Sequence, residues 1–329
     1  MNREEISKAA WTAKAIAILF VIIAHTPFTK IENLWLRMFI DRLGAMGVPI
    51  FLSVSGYFYH PEKYTSRLTM MRHKIKGLFF PWMFCGTIIY IYTTLRQKAA
   101  LDFTACLFFL VGKGSYLYYL TVLVLVELLF FGIRQKNSKK IVIVTVVVSF
   151  LSSVFTAYGI SDPVIQALHI TNYLNPLNWI GFFAIGFYCQ IIDLNCIFSR
   201  RNTIHGFLVA LWIFLFVAGY YVENSTYGYF SKLGFIMEWI STFLLLQVAW
   251  WLRNKPQIVE LGKYSYSLYL IHIQIIPIVC IFAKRSGILQ LFVPAITYIV
   301  TVLAINIMLW IGAKLHIQGY IKNLIGLRR

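Results

Sequence analysis

The sequence predicts an all-α, polytopic integral membrane helical bundle of about ten transmembrane helices with both termini cytoplasmic. Three observations predict it. Hydrophobic residues fill 59% of the 329 positions and charged residues only 13%, against about 45–50% and roughly 25% in soluble domains. The apolar residues are gathered into runs close to the roughly 20 residues that cross a hydrocarbon core of about 30 Å. The charges lie between those runs: Lys and Arg number 30, Asp and Glu 12, for a net charge of +18. A nucleic-acid-binding protein lays such an excess over a polar surface, whereas here the cations punctuate apolar segments, as in membrane proteins. A soluble enzyme, a nucleic-acid partner and a disordered chain are thereby excluded.

Ten runs qualify, at 9–29, 44–60, 75–95, 115–133, 141–158, 176–193, 204–222, 231–252, 263–283 and 290–313. The first keeps Lys14 within it and lacks a small-residue cleavage site, so it is expected to be a retained span, not a signal peptide. Pro49 with Gly44, Gly47 and Gly56 predicts an irregular or tilted second helix. An apolar patch at 103–111 is too short to span and is expected to be interfacial or re-entrant. No connecting segment reaches 25 residues, so residues 1–329 read as one membrane domain without a separate soluble one.

Orientation follows from the cations. With the N-terminus inside, 20 of the 30 basic residues fall in cytoplasmic segments, and eight fall outside: Lys30, Arg37, Arg42, Arg96, Lys98, Lys113, Lys284 and Arg285. This asymmetry favours an even number of spans. Most of the inner cations set topology and meet anionic membrane lipid, at about 1 kcal/mol each near the surface.

The five cysteines, Cys85, Cys106, Cys189, Cys196 and Cys280, are odd in number and form no CxxC. They suggest neither a disulfide framework nor a zinc site. No spacing of His, Cys or acidic residues resembles a metal site, and no GxGxxG or P-loop occurs, so neither a metal nor a tightly bound cofactor is expected.

Ionisable groups inside spans cost several kcal/mol unless the bundle or a wet cavity shelters them, and each is a functional candidate. They are Lys14, His25, Glu127, Lys232, Glu238 and His272. Lys232 stands near a helix end and can snorkel. Glu127 and Glu238 can pair with another helix or line a cavity. Lys14 and His25 are eleven residues apart, close to three helical turns, so they share one face about 16 Å apart. Ser265, Tyr269 and His272 have i, i+4, i+7 spacing and form one polar stripe. Gly47 to Tyr57, with Ser53 and Ser55, supplies small and hydroxyl residues that permit close helix approach.

Four segments, in this order, resemble acyltransferase family 3, a family of bacterial membrane enzymes that acylate envelope glycans. Lys14 through His25 resembles its first-helix motif, an Arg followed by a His, with Lys14 in the place of the Arg. Gly47-Val48-Pro49-Ile50-Phe51 through Ser55-Gly56-Tyr57 resembles its second-helix signature. Arg72, Lys74 and Lys76 before Phe80-Pro81-Trp82 resemble the basic cluster opening its third helix. Leu261-Gly262-Lys263-Tyr264-Ser265 through Tyr269-Leu270-Ile271-His272 resembles its late Ser/Tyr/His motif. Tyr116-Leu117-Tyr118-Tyr119-Leu120 matches a further stretch, with Tyr118 in place of Trp.

The resemblance implies an O-acyltransferase of the cell membrane that moves an acyl group, with acetyl expected, from cytoplasmic acyl-CoA to a hydroxyl of an envelope glycan or lipid-linked saccharide. His25 is then the expected base, with Lys14 and His272 as its catalytic companions. Arg72, Lys74 and Lys76 are placed to meet the phosphates of acyl-CoA. Ser55, Tyr57, Ser265, Tyr269, Glu127 and Glu238 are the expected substrate contacts. Ten spans with midplane polar groups also suit a glycan exporter or small-solute transporter that does no chemistry. The shared face of Lys14 and His25, and the absence of similarity between the two halves of the chain, favour the enzyme.

Overall fold

The computed structural model describes residues 3–133, 138–160, 171–190, 202–223, 229–283 and 286–327, which form helices, turns and loops with no strand among them. Cys196, the last three residues of the sixth expected span and several counted cations, among them Arg134, Lys136, Lys284 and Arg285, lie outside the described residues.

Eight helical stretches among the described residues are long and apolar enough to cross a membrane. The first is α1 (Arg3–His25). The second expected span is longer than its apolar run and divides into α2 (Leu34–Ala45) and α3 (Gly47–Tyr57) at Met46. Pro49 lies in the first turn of α3, where it lacks an N–H and its ring presses on the preceding turn. Arg37, Asp41 and Arg42 interrupt the apolar run of α2, which is why sequence reading begins the span ten residues late.

The third stretch runs from α4 (Arg67–Lys74) through a wide π-helical turn at Ile75–Phe79 into α5 (Phe80–Arg96). Pro81 cannot donate to the turn before it, and the Phe80 N–H bonds instead to the Ile75 carbonyl. Such π turns are frequent at functional sites. The short patch forms α6 (Phe103–Val111), capped by the Asp102 carboxylate, which accepts from the Ala105 N–H at 2.6 Å, and closed by left-handed Gly112.

Two of the ten expected spans are shorter helices: α7 (Tyr118–Phe130) and α9 (Ile180–Tyr188), separated by α8 (Ser138–Ala157). Seven of the nine residues of α9 are buried. A helix walled in by others is not matched to the hydrocarbon thickness. Its close partner is α3. A Cβ on Gly186 would overlap the Ser53 carbonyl oxygen, and one on Gly56 would overlap that of Phe183, so this crossing exists only with glycine on both sides. The remaining helices are α10 (Asn202–Glu223), α11 (Gly234–Leu252), α12 (Pro256–Lys263), α13 (Ser265–Ala283), α14 (Gly287–Lys314) and α15 (Gln318–Ile325).

At the centre stands α1, which touches α2, α3, α11, α12, α13 and α14. Trp11, in the first half of α1, and Gly326, just after α15, line the same cavity, so the N-terminal half of α1 and the end of α15 lie at the same end of the bundle. This accords with an even number of crossings.

Candidate functional site

Two cavities enter the bundle from opposite ends. The first, of about 320 Å³, is lined by Lys14, Lys63, His73, Lys74, Lys263 and Glu127, with Ser55, Tyr119, Ser265 and Tyr269 deeper in. It is the basic mouth, at the end that the charge distribution assigns to the cytoplasm. The second, of about 630 Å³, holds His25, Asp41, Thr93, Tyr116, Tyr118, Tyr173, Tyr229 and Tyr269. Tyr269 lines both. Its hydroxyl donates to the Tyr116 carbonyl, and the Tyr116 hydroxyl donates to the Leu270 carbonyl at 3.0 Å. This reciprocal pair closes the wall between the cavities.

His25 and His272 meet behind that wall, with ring centroids 5.4 Å apart. Tyr116 packs against both, at 6.0 and 5.5 Å. His25 is half-buried on the larger cavity, whereas His272 is fully buried. His272 Nδ1 lies 3.0 Å from the Leu268 carbonyl oxygen and 2.9 Å from that of Tyr269. With only acceptors there, Nδ1 carries the ring proton and Nε2 is left as an acceptor. Nε2 is buried and has no hydrogen-bond partner among the described residues.

The Ser265, Tyr269, His272 stripe thus runs from the basic mouth to the histidine pair, as its spacing predicts. Lys14 opens on the basic cavity while His25 opens on the other, one helix serving both. The Lys14 ammonium rests over the rings of Trp11 at 4.6 Å and Phe58 at 5.4 Å, contacts a primary ammonium makes without the fork of Arg.

The expected cofactor cluster divides. Lys74 lines the basic cavity and pairs with the Glu127 carboxylate. Arg72 is exposed and is not part of the lining. The side chain of Lys76 lies outside the described residues.

The expected substrate contacts also divide. Ser55, Ser265, Tyr269 and Glu127 reach the basic cavity. Tyr57 lines a separate small apolar pocket with Ile6, Ala13 and Trp250. Glu238 lines neither large cavity. It is buried against Arg42, whose Nη1 lies 3.7 Å from its carboxylate and whose Nη2 donates to Ser231 Oγ at 2.7 Å. Arg42, counted as an outer-loop cation, is thus a buried member of the bundle, 1% exposed. Lys232, by contrast, is exposed at the helix end, its ammonium 6.0 Å from the Tyr158 ring.

Sequence reasoning missed Tyr116, Asp41, His73 and the pairing of Arg42. Tyr116 stood in a stretch quoted for its neighbour Tyr118. Asp41 and Arg42 lie N-terminal to the apolar run from which the span was read.

A family model described as an acyltransferase domain, Acyl_transf_3, matches residues 12–313, nearly the whole chain. Comparisons with curated proteins and with solved structures return no match. The matched region runs from within α1 to nearly the end of α14, and contains both histidines, Lys14, Lys74 and the tyrosine wall. The chain belongs to the acyltransferase 3 family, and this membership supports an acyltransferase activity.

Proposed function

We propose that the protein transfers an acyl group from cytoplasmic acyl-CoA to a hydroxyl of a cell-envelope glycan, across the wall formed by Tyr269 and Tyr116. The observation that carries this reading is the pair of cavities that share Tyr269, one rich in cations and the other aromatic and holding His25. Phosphates of the donor meet Lys63, Lys74 and Lys263 at the basic mouth, where several cations raise the local concentration of an anion. Lys14 holds the pantetheine end. The thioester passes Ser55 and Tyr119 toward the histidines.

The acceptor sugar occupies the larger cavity, where tyrosine faces cover apolar ring surfaces and Asp41 accepts from hydroxyls. His25 takes the acceptor's hydroxyl proton as the oxygen attacks the thioester carbonyl. The tetrahedral intermediate then expels the CoA thiolate, which recovers a proton from the imidazolium, leaving the ester and free CoA thiol. The unpartnered His272 Nε2, beside the His25 ring, accepts from that ring when it turns toward it with substrate bound and so fixes the tautomer that can act as base. Exclusion of bulk water protects the thioester meanwhile. Acetyl is the expected group and the cell membrane the expected site.

The test is His25→Ala in cells, with mass spectrometry of the envelope glycan. Loss of the ester, with the variant inserted at normal level, is the expected result. Near-normal acylation overturns the assignment. Glycan that disappears while its remainder keeps its acyl content points to export instead. Purified protein given acetyl-CoA and succinyl-CoA against candidate glycans identifies the acyl group.

A further inference from the structure

Ser55 of α3 and Tyr119 of α7 face each other deep in the basic cavity, where the Tyr119 ring meets the edge of Tyr269. Their hydroxyl oxygens are 3.5 Å apart. We infer that this pair holds the carbonyl oxygen of the donor thioester and stabilises the negative charge that develops on it, which makes both residues catalytic. This deepens the reading above and rests on it for the nature of the donor.

The neighbouring hydroxyl protons are committed elsewhere. Tyr59, Tyr266 and Tyr269 line the same cavity, and each donates to a backbone carbonyl, those of Glu127, Leu78 and Tyr116. A phenol has one O–H, so none of the three has a proton left for a ligand. Ser53, one turn of side chain away on α3, donates to the Pro49 carbonyl four residues back at 3.0 Å. Thr26 and Thr93 do the same on their own helices, the bond that helical Ser and Thr side chains readily make. Ser55 meets Tyr119 instead, and neither side chain makes another hydrogen bond among the described residues. Their separation exceeds the about 2.5–3.0 Å of an ordinary O–H···O bond, so each holds the other's proton only loosely. An oxygen placed between them accepts from both.

Both hydroxyls stand on fixed supports. Gly56, next to Ser55, approaches α9 so closely that a Cβ there would overlap the Phe183 carbonyl oxygen. The Tyr119 ring packs against Phe51 and Tyr269, with centroids 5.7 and 5.4 Å away, and Tyr119 is buried. Donors held in place in a water-poor site need little reorganisation when charge appears. Phe51, Leu120 and Leu123 complete this part of the lining, and a low local dielectric strengthens a hydrogen bond to an oxyanion.

The step balances without a proton from either residue. As the acceptor oxygen bonds to the carbonyl carbon, the C=O π pair moves onto the carbonyl oxygen, which accepts from Ser55 and Tyr119. When that pair returns, the C–S bond breaks and CoA leaves as its thiolate. Both hydroxyls keep their protons throughout.

The experiment uses the purified full chain in detergent with acetyl-CoA and succinyl-CoA, each isotopically labelled at the thioester carbonyl. Isotope-edited infrared difference spectra, taken without acceptor, read the carbonyl stretch of the bound donor. For the donor that binds, the stretch is expected at lower wavenumber than in free solution. It is expected to move partly back in Tyr119→Phe and in Ser55→Ala, and to reach the free position in the double variant. Tyr119→Phe keeps the ring and its packing. With acceptor present, each single variant is expected to lower kcat about 100-fold, the low end for loss of one oxyanion donor, with little change in KM for the donor. A wild-type stretch at the free position with both donors overturns the inference, as does an unchanged kcat in Tyr119→Phe. A KM that rises while kcat holds also overturns it, because that marks binding shared equally by ground and transition states. If the stretch shifts and the variants restore it but no glycan is acylated, the transfer reading fails and the carbonyl contact stands. If a glycan is acylated in a His25-dependent manner while the Ser55 and Tyr119 variants match wild type, only this inference fails.

Discussion

His25 of α1 and His272 of α13 stand with their ring centroids 5.4 Å apart, although they come from opposite ends of the chain. The inner histidine is oriented by two backbone carbonyls of its own helix, and the outer one faces the aromatic cavity. On the proposed reading, His272 positions His25 once the two rings turn into hydrogen-bond reach, its Nε2 being buried and otherwise unpartnered.

His272→Phe is therefore expected to lower kcat by roughly 100-fold, the low end of what a positioned proton acceptor contributes, with KM for acyl-CoA little changed. His272→Gln should recover part of the rate, because its amide can donate to the carbonyls and still offer an oxygen to His25. Steady-state kinetics of both variants, with chromatographic profiles as a folding check, decide the matter. Equal losses in the two variants, tracking loss of folded protein, would make His272 a packing residue.

The Lys74–Glu127 pair gives a second expectation. Glu127 cancels one of the cations at the basic mouth, and the Tyr59 hydroxyl ties its backbone carbonyl down at 2.6 Å. Glu127→Gln keeps the shape and uncovers the Lys74 charge. Its KM for acyl-CoA should fall several-fold at low salt, and the advantage should shrink as salt screens the mouth over about a 10 Å Debye length. A KM unchanged at every ionic strength would show that the phosphates do not approach Lys74.

Arg42 and Glu238 form a fully buried pair. Removing one partner strands the other in a low-dielectric interior, at about 3–5 kcal/mol, whereas replacing both with apolar residues is often neutral. Arg42→Met and Glu238→Leu should each lower the Tm in detergent, and the double variant should regain most of the loss. Additive losses would show that neither charge depends on the other.

This pair also shows where sequence reading stops. The number of apolar segments, the break near Pro49 and the Ser265–Tyr269–His272 stripe are one-dimensional patterns, because a helix turns local spacing into a shared face. Arg42 and Glu238 are distant in sequence, and only the crossing of α2 with its neighbours joins them. The same holds for Tyr116, whose importance lies in contacts to α13 and α1. Helix lengths were legible where a helix meets lipid and misleading for α9, which other helices enclose. Arg72 was read from proximity along the chain to Lys74, yet successive positions near a helix terminus point to different faces.

Tyr269 separates the basic cavity from the aromatic cavity and is held by its bond to the Tyr116 carbonyl. A thioester waiting beside it is protected only while water in the larger cavity stays on the far side. Tyr269→Ala should open that route and raise acyl-CoA hydrolysis in the absence of acceptor, relative to transfer in its presence. Tyr269→Phe keeps the ring but loses the bond, so its hydrolysis should fall between wild type and Tyr269→Ala. Release of CoA thiol, followed with a thiol reagent with and without acceptor, measures both. A Tyr269→Ala variant that loses transfer without gaining hydrolysis would show that the ring shapes the acceptor site instead of sealing the thioester from water.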